Sequence, residues 1–200
     1  MSIPVTTYNC TACDFSGWNC VTWGYRFYQT SNAKLRIRTR LGWCFSCGTL
    51  TAMEVLPNAA EEVRLERKLS KAEERLNILR RRIGKIRSAW HLFPRKGALQ
   101  IKLELEVEFA QKELRDYMLI KNALAARSNP AVCLECGSED CTELPSHPSR
   151  IDEFDDAPAL IGFTHPGCGG NLVAINDGLR LNIRLERRAY DINGRQIKNN

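Results

Sequence analysis

Four short motifs decide the fold: CTAC at residues 10–13, CFSCG at 44–48, CLECG at 133–137 and HPGCG at 165–169. Each motif places two metal-binding side chains three positions apart, so that both can reach one ion. The cysteines number nine, an odd count, and the N-terminal stretch MSIPVTTYNC has no secretory pattern, so secreted disulfides are not expected. In a reducing compartment such pairs are typical metal ligands. The sequence therefore predicts a cytoplasmic metalloprotein.

The order of the motifs along the chain predicts how they combine into sites. The first two motifs predict a four-cysteine site from Cys10, Cys13, Cys44 and Cys47. The last two predict a site of three cysteines and one histidine from Cys133, Cys136, His165 and Cys168. Four such ligands fill the tetrahedron that zinc prefers, so two structural Zn²⁺ ions are expected. Cys141 or His147 is an alternative to His165, whereas Cys20 is expected to be a small buried side chain.

On these motifs, with glycine after three of the four ligand pairs, the sequence resembles the zinc-ribbon superfamily over residues 8–56 and 131–192. The resemblance rests on the two CxxC pairs of the first stretch and on CLECG with HPGCG in the second. It implies a small antiparallel sheet clamped by one metal ion in each stretch. Metal binding would then supply much of the folding free energy, because such small sheets bury little apolar surface.

The segment between the predicted ribbons is helical. Its apolar residues recur at alternating spacings of four and three, the heptad pattern of a coiled coil, at Leu65, Leu69, Ala72, Leu76, Leu79, Ile83, Ile86, Trp90 and Phe93. Asn58 is a suitable N-cap. A second helix is predicted over 98–127, although IKLELEVEF at 101–109 also alternates as a strand does. Pro94 and Gly97 separate the helices, and a short loop between helices of equal length predicts an antiparallel hairpin.

The predicted fold class is therefore α+β, in three pieces. A four-cysteine zinc ribbon spans 1–57, an antiparallel coiled-coil hairpin spans 58–127, and a zinc ribbon-like module with C-terminal strands spans 128–200. Because an antiparallel hairpin brings its two ends together, both ribbons are expected at its base. No run of about 18 apolar residues occurs, so no membrane partner is expected.

Charge indicates an anionic partner for part of the surface. The formal net charge is +6, and the basic excess lies in the first half of the chain. The run KLRIRTRL at 34–41 alternates basic and apolar residues, which predicts one strand face with Lys34, Arg36, Arg38 and Arg40. Aromatic residues are close in sequence, and cations beside aromatic planes suit nucleic acid. A solvated outer face over an aromatic core is the alternative interpretation.

A second basic cluster occupies the far end of the predicted hairpin, where residues 80–96 contain no acidic side chain. Its cations are Arg80, Arg81, Arg82, Lys85, Arg87, Arg95 and Lys96, with Trp90, His91, Leu92 and Phe93 among them. This composition favours contact with nucleic acid or with an acidic protein groove.

The function these patterns favour is that of a zinc-stabilised nucleic-acid-binding protein or an accessory protein of a nucleic-acid machine. The alternative is a protein-interaction scaffold whose coiled coil is a spacer or dimerisation arm, and the oligomeric state stays open. No enzymatic activity is expected, because both zinc sites have four ligands and no phosphate loop, nucleophile elbow or H-E-x-x-H motif occurs. The acidic segment with His147, Asp152, Glu153, Asp155 and Asp156 has no recognisable catalytic spacing.

Overall fold

The computed structural model describes residues 3–31, 33–87, 97–145, 158–176, 178–182 and 185–197, with the side chains of 84–87 excepted. The chain divides into two compact units. The first unit combines Met1–Leu56 with Ala126–Asn200, and the second is Pro57–Ala125. The fold is of the mixed α+β class that the sequence predicts, with two helices and several antiparallel strand pairs among the described residues.

The first unit contains the strands. They are β1 (Ile3–Pro4), β2 (Thr7–Cys10), β3 (Ser16–Trp18), β4 (Tyr25–Gln29), β5 (Lys34–Arg36), β6 (Thr39–Cys44), β7 (Thr49–Glu54), β8 (Cys141–Glu143), β9 (Ala159–Thr164), β10 (Asn171–Ile175), β11 (Arg180–Leu181), β12 (Arg187–Tyr190) and β13 (Gln196–Ile197). The described strands form sheets in the orders β1-β11, β3-β2-β10-β9, β13-β12-β4-β5 and β7-β6-β8. Each sheet pairs a strand from the beginning of the chain with one from its end.

This sharing of sheets differs from the two separate ribbons expected over 1–57 and 128–200. The reason is a common core of apolar residues from both stretches: Tyr8, Trp43, Leu50, Leu144, Ile161, Leu172 and Ala174. Leu172 and Ala174 alternate along β10 and are fully buried, and Ala174 lies opposite Tyr8 of β2. Either stretch alone would leave its half of this apolar surface in water, which is unfavourable for so small a sheet.

The basic run at 34–41 does not form one strand. It divides at residues 37 and 38, so that β5 belongs to the β13-β12-β4-β5 sheet and β6 to the β7-β6-β8 sheet. A 3₁₀ turn at Asn19–Thr22 also precedes β4. The guanidinium of Arg26 stabilises this turn by donating hydrogen bonds to the carbonyls of Val21 and Thr22 at 2.7 and 3.1 Å. β4 begins at Tyr25, after this turn.

The second unit contains α1 (Ala59–Arg87) and α2 (Ala98–Ala123). Asn58 caps α1 as predicted, because its side-chain oxygen accepts a 2.9 Å hydrogen bond from the backbone N–H of Glu61. The ambiguous segment IKLELEVEF is helical. The second helix ends before residue 127, and Arg127 belongs to the first unit.

The two helices run antiparallel to each other. Ion pairs join them at Glu62–Lys121, Lys68–Glu113, Arg75–Glu106 and Arg80–Glu104, with N···O distances from 2.6 to 3.5 Å. The sequence separation of the partners falls along α1 from 59 to 24, as only an antiparallel pair permits. Between the helices lie buried residues of the predicted heptad seam: Leu65, Ala72, Leu76, Leu103, Ala110 and Tyr117. Supercoiling of the pair stays a prediction. Neither described helix has both the length and the apolar character of a membrane span.

Candidate metal centres and a basic aromatic surface

The eight predicted ligands assemble into two clusters, each able to hold a metal ion. The histidine centre consists of Cys10, Cys13, His165 and Cys168. The four-cysteine centre consists of Cys44, Cys47, Cys133 and Cys136. Within each centre, the four ligand atoms all lie within 4.8 Å of one another.

The combination of ligand pairs corrects the one expected from their order in the sequence. Cys10 and Cys13 join His165 and Cys168 because β2 pairs with β10 and the backbone N–H of Thr11 donates to the carbonyl of Asn171 at 3.0 Å. The other two pairs meet because Cys133 forms a bridge with Met53 of β7 and the backbone N–H of Leu134 donates to the carbonyl of Ala52 at 3.0 Å. Strand pairing across the chain, rather than proximity in sequence, therefore selects each ligand set.

The ligand spacing in the histidine centre fits one tetrahedral ion. Zinc bonds of about 2.3 Å to sulfur and 2.0–2.1 Å to nitrogen imply tetrahedron edges of roughly 3.5–3.8 Å, slightly longer than the ligand distances here. Cys10 Sγ lies 3.4 Å from Cys168 Sγ, and the Nδ1 atom of His165 lies 3.3 Å from Cys13 Sγ and 3.0 Å from Cys168 Sγ. A Cβ at Gly170 would lie 2.6 Å from Cys10 Sγ, so glycine is required where the two ligand turns approach.

Two aromatic rings orient the imidazole of His165. The ring of Phe15 stacks on it with a centroid distance of 4.8 Å, and Trp43 meets it edge-on at 4.9 Å. Phe15 and Trp43 also contact each other at 5.0 Å. Since the imidazole is held on two sides, its Nδ1 atom is directed at the cysteine sulfurs. Sequence analysis did not identify Phe15, because its contact with residue 165 arises only from the cross-chain sheet.

The four-cysteine centre is more deeply enclosed. The sulfur–sulfur distances are 3.6 Å for Cys44–Cys136 and 4.0 Å for Cys47–Cys133, again close to tetrahedral edges. Cys44 and Cys133 are both 0% exposed. The hydroxyl of Thr51 lies 3.1 Å from Cys133 Sγ and can donate a hydrogen bond to a thiolate there. These features suit a site that is part of the core.

In the four-cysteine centre, the glycine that follows each ligand pair permits a tight turn of the backbone. Gly48 and Gly137 have φ values of +63° and +77°, which side chains strongly disfavour. Their backbone N–H groups donate to the carbonyls of Cys44 and Cys133 at 2.9 and 2.8 Å and close the turns. The N–H of Cys47 points at Cys44 Sγ from 3.4 Å, which stabilises negative charge on that sulfur.

Proton affinity differs among the four thiols of this centre. Burial raises the pKa of Cys44 and of Cys47 above the ordinary value of a thiol. For Cys136, burial acts in the same direction, but the backbone N–H of Ser138 and the neighbouring sulfurs outweigh it and lower the pKa. Metal uptake at neutral pH would therefore displace protons, chiefly from Cys44 and Cys47.

A buried ion pair supports the end of β7 and the segment that leads to Cys133. Arg127 donates to both carboxylate oxygens of Glu54 at 2.7 and 2.6 Å, and both side chains are almost fully buried. Glu54 also accepts hydrogen bonds from the hydroxyl of Tyr28 and from the backbone N–H of Val132, the latter at 3.3 Å. Val132 directly precedes Cys133, so this network fixes the approach of the chain to the centre.

The remaining two cysteines lie outside both clusters. Cys141 directs its thiol at the carbonyls of Ser138 and Ala131, at 3.7 and 3.8 Å, rather than at a metal position. Burial and the nearby ligand sulfurs raise the pKa of Cys141 to about 11, so it stays a neutral thiol at physiological pH. Burial also raises the pKa of Cys20. His147, the other alternative ligand, lies outside the described residues.

Part of the predicted nucleic-acid face forms one exposed surface, which we name the Tyr25 surface: Tyr25, Phe27, Lys34, Arg36 and Arg187. Alternation along β4 directs Tyr25 outward, where it is 46% exposed, and Tyr28 into the core. The Nζ atom of Lys34 lies 5.1 Å from the ring centroid of Phe27. The guanidinium carbons of Arg36 and Arg187 lie 5.8 and 6.0 Å from the ring centroid of Tyr25.

Arg187 was not identified from the sequence. It reaches the Tyr25 surface because β12 pairs in parallel with β4, with Arg187 opposite Tyr25. A parallel pair formed by strands so far apart in the chain has no local sequence signal. Conversely, Arg40 lies in the neighbouring β7-β6-β8 sheet and forms an ion pair with Glu143, and Arg38 falls between the two strands. The structure thus brings together two of the four strand cations expected to act jointly.

The predicted basic tip is described only in part. Arg80 pairs with Glu104 at 3.5 Å, whereas Arg81 and Arg82 are exposed. The side chains of Lys85 and Arg87, and residues Trp90, His91, Leu92, Phe93, Arg95 and Lys96, lie outside the described part. So does the acidic segment with Asp152, Glu153, Asp155 and Asp156.

No protein-family model, curated protein or solved structure matches this chain, so its own geometry carries the functional argument.

Proposed function

We propose that this chain is a zinc-stabilised nucleic-acid-binding protein that contacts the phosphate backbone through the Tyr25 surface. The observation that carries the proposal is the position of three cations over two aromatic rings on one exposed sheet face. The two metal centres are proposed to hold one structural zinc ion each. Their role is to join the two ends of the chain into the unit that presents this face.

The identity of the metal follows from the donors. Thiolate sulfur and imidazole nitrogen in a tetrahedral set of four are characteristic of structural zinc. Since four protein ligands leave no coordination position for a substrate, we propose no enzymatic role for either ion. The exposed sheet face remains the region whose chemistry requires a ligand.

On the Tyr25 surface three cations without a carboxylate partner among the described residues share one small area, whereas several cations of the helices are paired. On the helices, cations such as Lys68, Arg75 and Lys121 are each neutralised by a glutamate within 2.8 Å. Within the described ranges, Lys34, Arg36 and Arg187 make no ion pair with a carboxylate. Three cations without acidic partners on one face create a positive potential that attracts an anion.

Geometry favours phosphate as that anion. Arg36 of β5 and Arg187 of β12 come from the two strands that flank β4, and the guanidinium carbon of each lies within 6.0 Å of the ring centroid of Tyr25. An exposed cation–π contact contributes only about 0.5–1 kcal/mol, so either guanidinium can leave the ring at small cost. Guanidinium groups bind phosphate through paired N–H donors, so each arginine can hold a phosphate beside the ring of Tyr25. Neighbouring bases could then stack on the partly exposed rings.

The test is fluorescence anisotropy of labelled single- and double-stranded DNA and RNA with the zinc-loaded full chain at increasing salt. Three phosphate contacts predict a slope of log K against log salt near −2 for single strands. Affinity should therefore fall by about 20-fold between 50 and 200 mM salt. Replacing Lys34, Arg36 and Arg187 together with glutamate should remove at least about 90% of the binding that remains after background subtraction. The reason is that attraction of the phosphates becomes repulsion.

The matched control places the same charge change on the helices, with glutamate at the exposed residues Arg67, Lys71 and Arg115. This variant should retain most of the affinity. Equal losses in both variants would show that net charge alone causes binding and would contradict the assignment of the surface. No binding at low salt by the zinc-loaded wild type would overturn the nucleic-acid function and leave the protein-interaction scaffold as the better hypothesis.

A further inference from the structure

The outer face of α2 carries apolar side chains that no part of the described chain covers. Ile101, Leu105, Phe109 and Leu119 are 46, 45, 67 and 54% exposed. They lie away from Leu103, Ala110 and Tyr117, which are buried against α1. Because residues three or four apart share one face of a helix, Ile101, Leu105, Glu108, Lys112, Asp116 and Leu119 form a continuous stripe.

One acidic residue of this stripe differs from the other carboxylates of α2. Glu104, Glu106 and Glu113 each pair with a cation of α1, and Asp116 pairs with Lys112 at 2.7 Å. Glu108 is exposed and has no ion-pair partner in the described ranges. Lys112, one turn along the stripe, has two further donor hydrogens beyond its bond to Asp116.

We propose that the stripe binds the same stripe of a second copy of this chain, with the two α2 helices antiparallel. The argument is the symmetry of four of the six stripe residues, Ile101, Glu108, Lys112 and Leu119, about residue 110. Residues 101 and 119 lie equally far from residue 110 along the helix, and so do residues 108 and 112. An antiparallel copy therefore sets Ile101 against Leu119 of the second copy and Glu108 against Lys112 of the second copy.

This arrangement is self-complementary, which is the requirement of a two-fold interface. Each contact occurs twice, so apolar residues meet apolar residues at both ends and opposite charges meet on both sides of the centre. The charge pattern also argues for this occupant over an unrelated partner, because the stripe supplies both the acid and the base that the interface uses.

The inference is independent of nucleic-acid binding and uses a different unit of the protein. It also differs from dimerisation through the heptad seam, since the seam residues are already buried between α1 and α2 of one chain. Two Tyr25 surfaces in one particle would be a consequence of the dimer, not a part of its evidence.

The experiment is sedimentation equilibrium of the zinc-loaded full chain, treated with nuclease and free of nucleic acid, over a range of concentrations at about 0.15 M salt. The expected mass rises with concentration from 22.7 kDa towards twice that value. Glu108→Lys should raise the dissociation constant about tenfold or more, because it sets two cations against each other in both symmetric pairs. Lys112→Glu should have a similar effect.

The double exchange, Glu108→Lys with Lys112→Glu, restores opposite charges across the interface and should recover most of the association. Glu74→Lys makes the same charge change on the exposed side of α1 and should leave the mass unaltered. Circular dichroism confirms that each variant keeps its helices. A mass of 22.7 kDa at every concentration would overturn the proposal. The proposal would be overturned equally if the single substitutions left the dissociation constant unchanged, or if the double exchange did not restore association.

Discussion

The two candidate metal centres share a plan but differ in what surrounds them. Both combine one ligand pair from each end of the chain. In the four-cysteine centre, Cys44 and Cys133 are completely buried and the adjoining strand is fixed by Glu54 and Arg127. Each centre has two exposed cysteines, but in the histidine centre no cysteine is buried and aromatic rings hold the imidazole. The difference indicates that equal ligand numbers need not contribute equally to folding.

The free energy of metal binding alone does not distinguish the two centres. A structural zinc ion contributes roughly 10–16 kcal/mol of apparent binding free energy in either ligand class. What differs is the consequence of losing the ion. Removal from the four-cysteine centre leaves two polar sulfurs inside the core, whereas removal from the histidine centre leaves Cys13 and Cys168 in water.

The largest expected effect is a difference between two single variants, each of which removes one ligand from one centre. Cys133→Ser should abolish the fold of the first unit, because it destroys a metal site and leaves an unsatisfied group in the core. Cys168→Ser should release one metal ion and preserve the other, together with most of the tertiary structure. Native mass spectrometry gives the metal count and near-ultraviolet circular dichroism gives the tertiary packing. Identical behaviour of the two variants would remove the distinction between the centres.

An intermediate effect is expected at the buried ion pair. Glu54→Gln leaves Arg127 as an uncompensated buried charge, which costs about 3–5 kcal/mol of unfolding free energy. Glu143→Gln, which breaks the exposed pair with Arg40, should cost no more than about 1 kcal/mol. Urea unfolding of the metal-loaded variants measures both values. Equal costs would mean that the network around Glu54 adds nothing specific to the four-cysteine centre.

The smallest effect concerns the rate of metal release. A chelator should remove the two ions in separate phases, with the exposed histidine centre emptying first. Phe15→Leu removes the ring stacked on His165 and should accelerate the fast phase a few-fold, since the imidazole is then less restrained. The slow phase should not change. A metal-sensitive dye records both phases, and acceleration of the slow phase instead would show that the order of release is reversed.

The ligands themselves were predictable, whereas their combination was not. Spacing identified all eight residues because two ligands must reach one ion from a single tight turn, which is a local requirement. The choice of partner pair depends on the contact of β2 with β10, which lie far apart in the chain. No periodicity in either strand specifies its neighbour.

The same limit applies to the basic aromatic surface. Alternation along β5 indicated which side of that strand faces solvent, and Lys34 and Arg36 lie where that pattern predicted. The division of the run at residues 37 and 38 separated Arg40 from them. Arg187 entered through a parallel strand pair. The helices were the easier part, because a heptad seam and an N-cap are both local signals.

The separation of the ligand pairs has a consequence for synthesis on the ribosome. In the histidine centre, Cys13 and His165 are 152 positions apart, and in the four-cysteine centre Cys47 and Cys133 are 86 apart. At about 5–20 residues per second, the early cysteines wait roughly 8–30 s and 4–17 s for their partners. During that interval the nascent chain carries Cys10, Cys13, Cys44 and Cys47, which form a complete but non-native set of four thiols. An ion captured by that set has to be surrendered before either native centre can close.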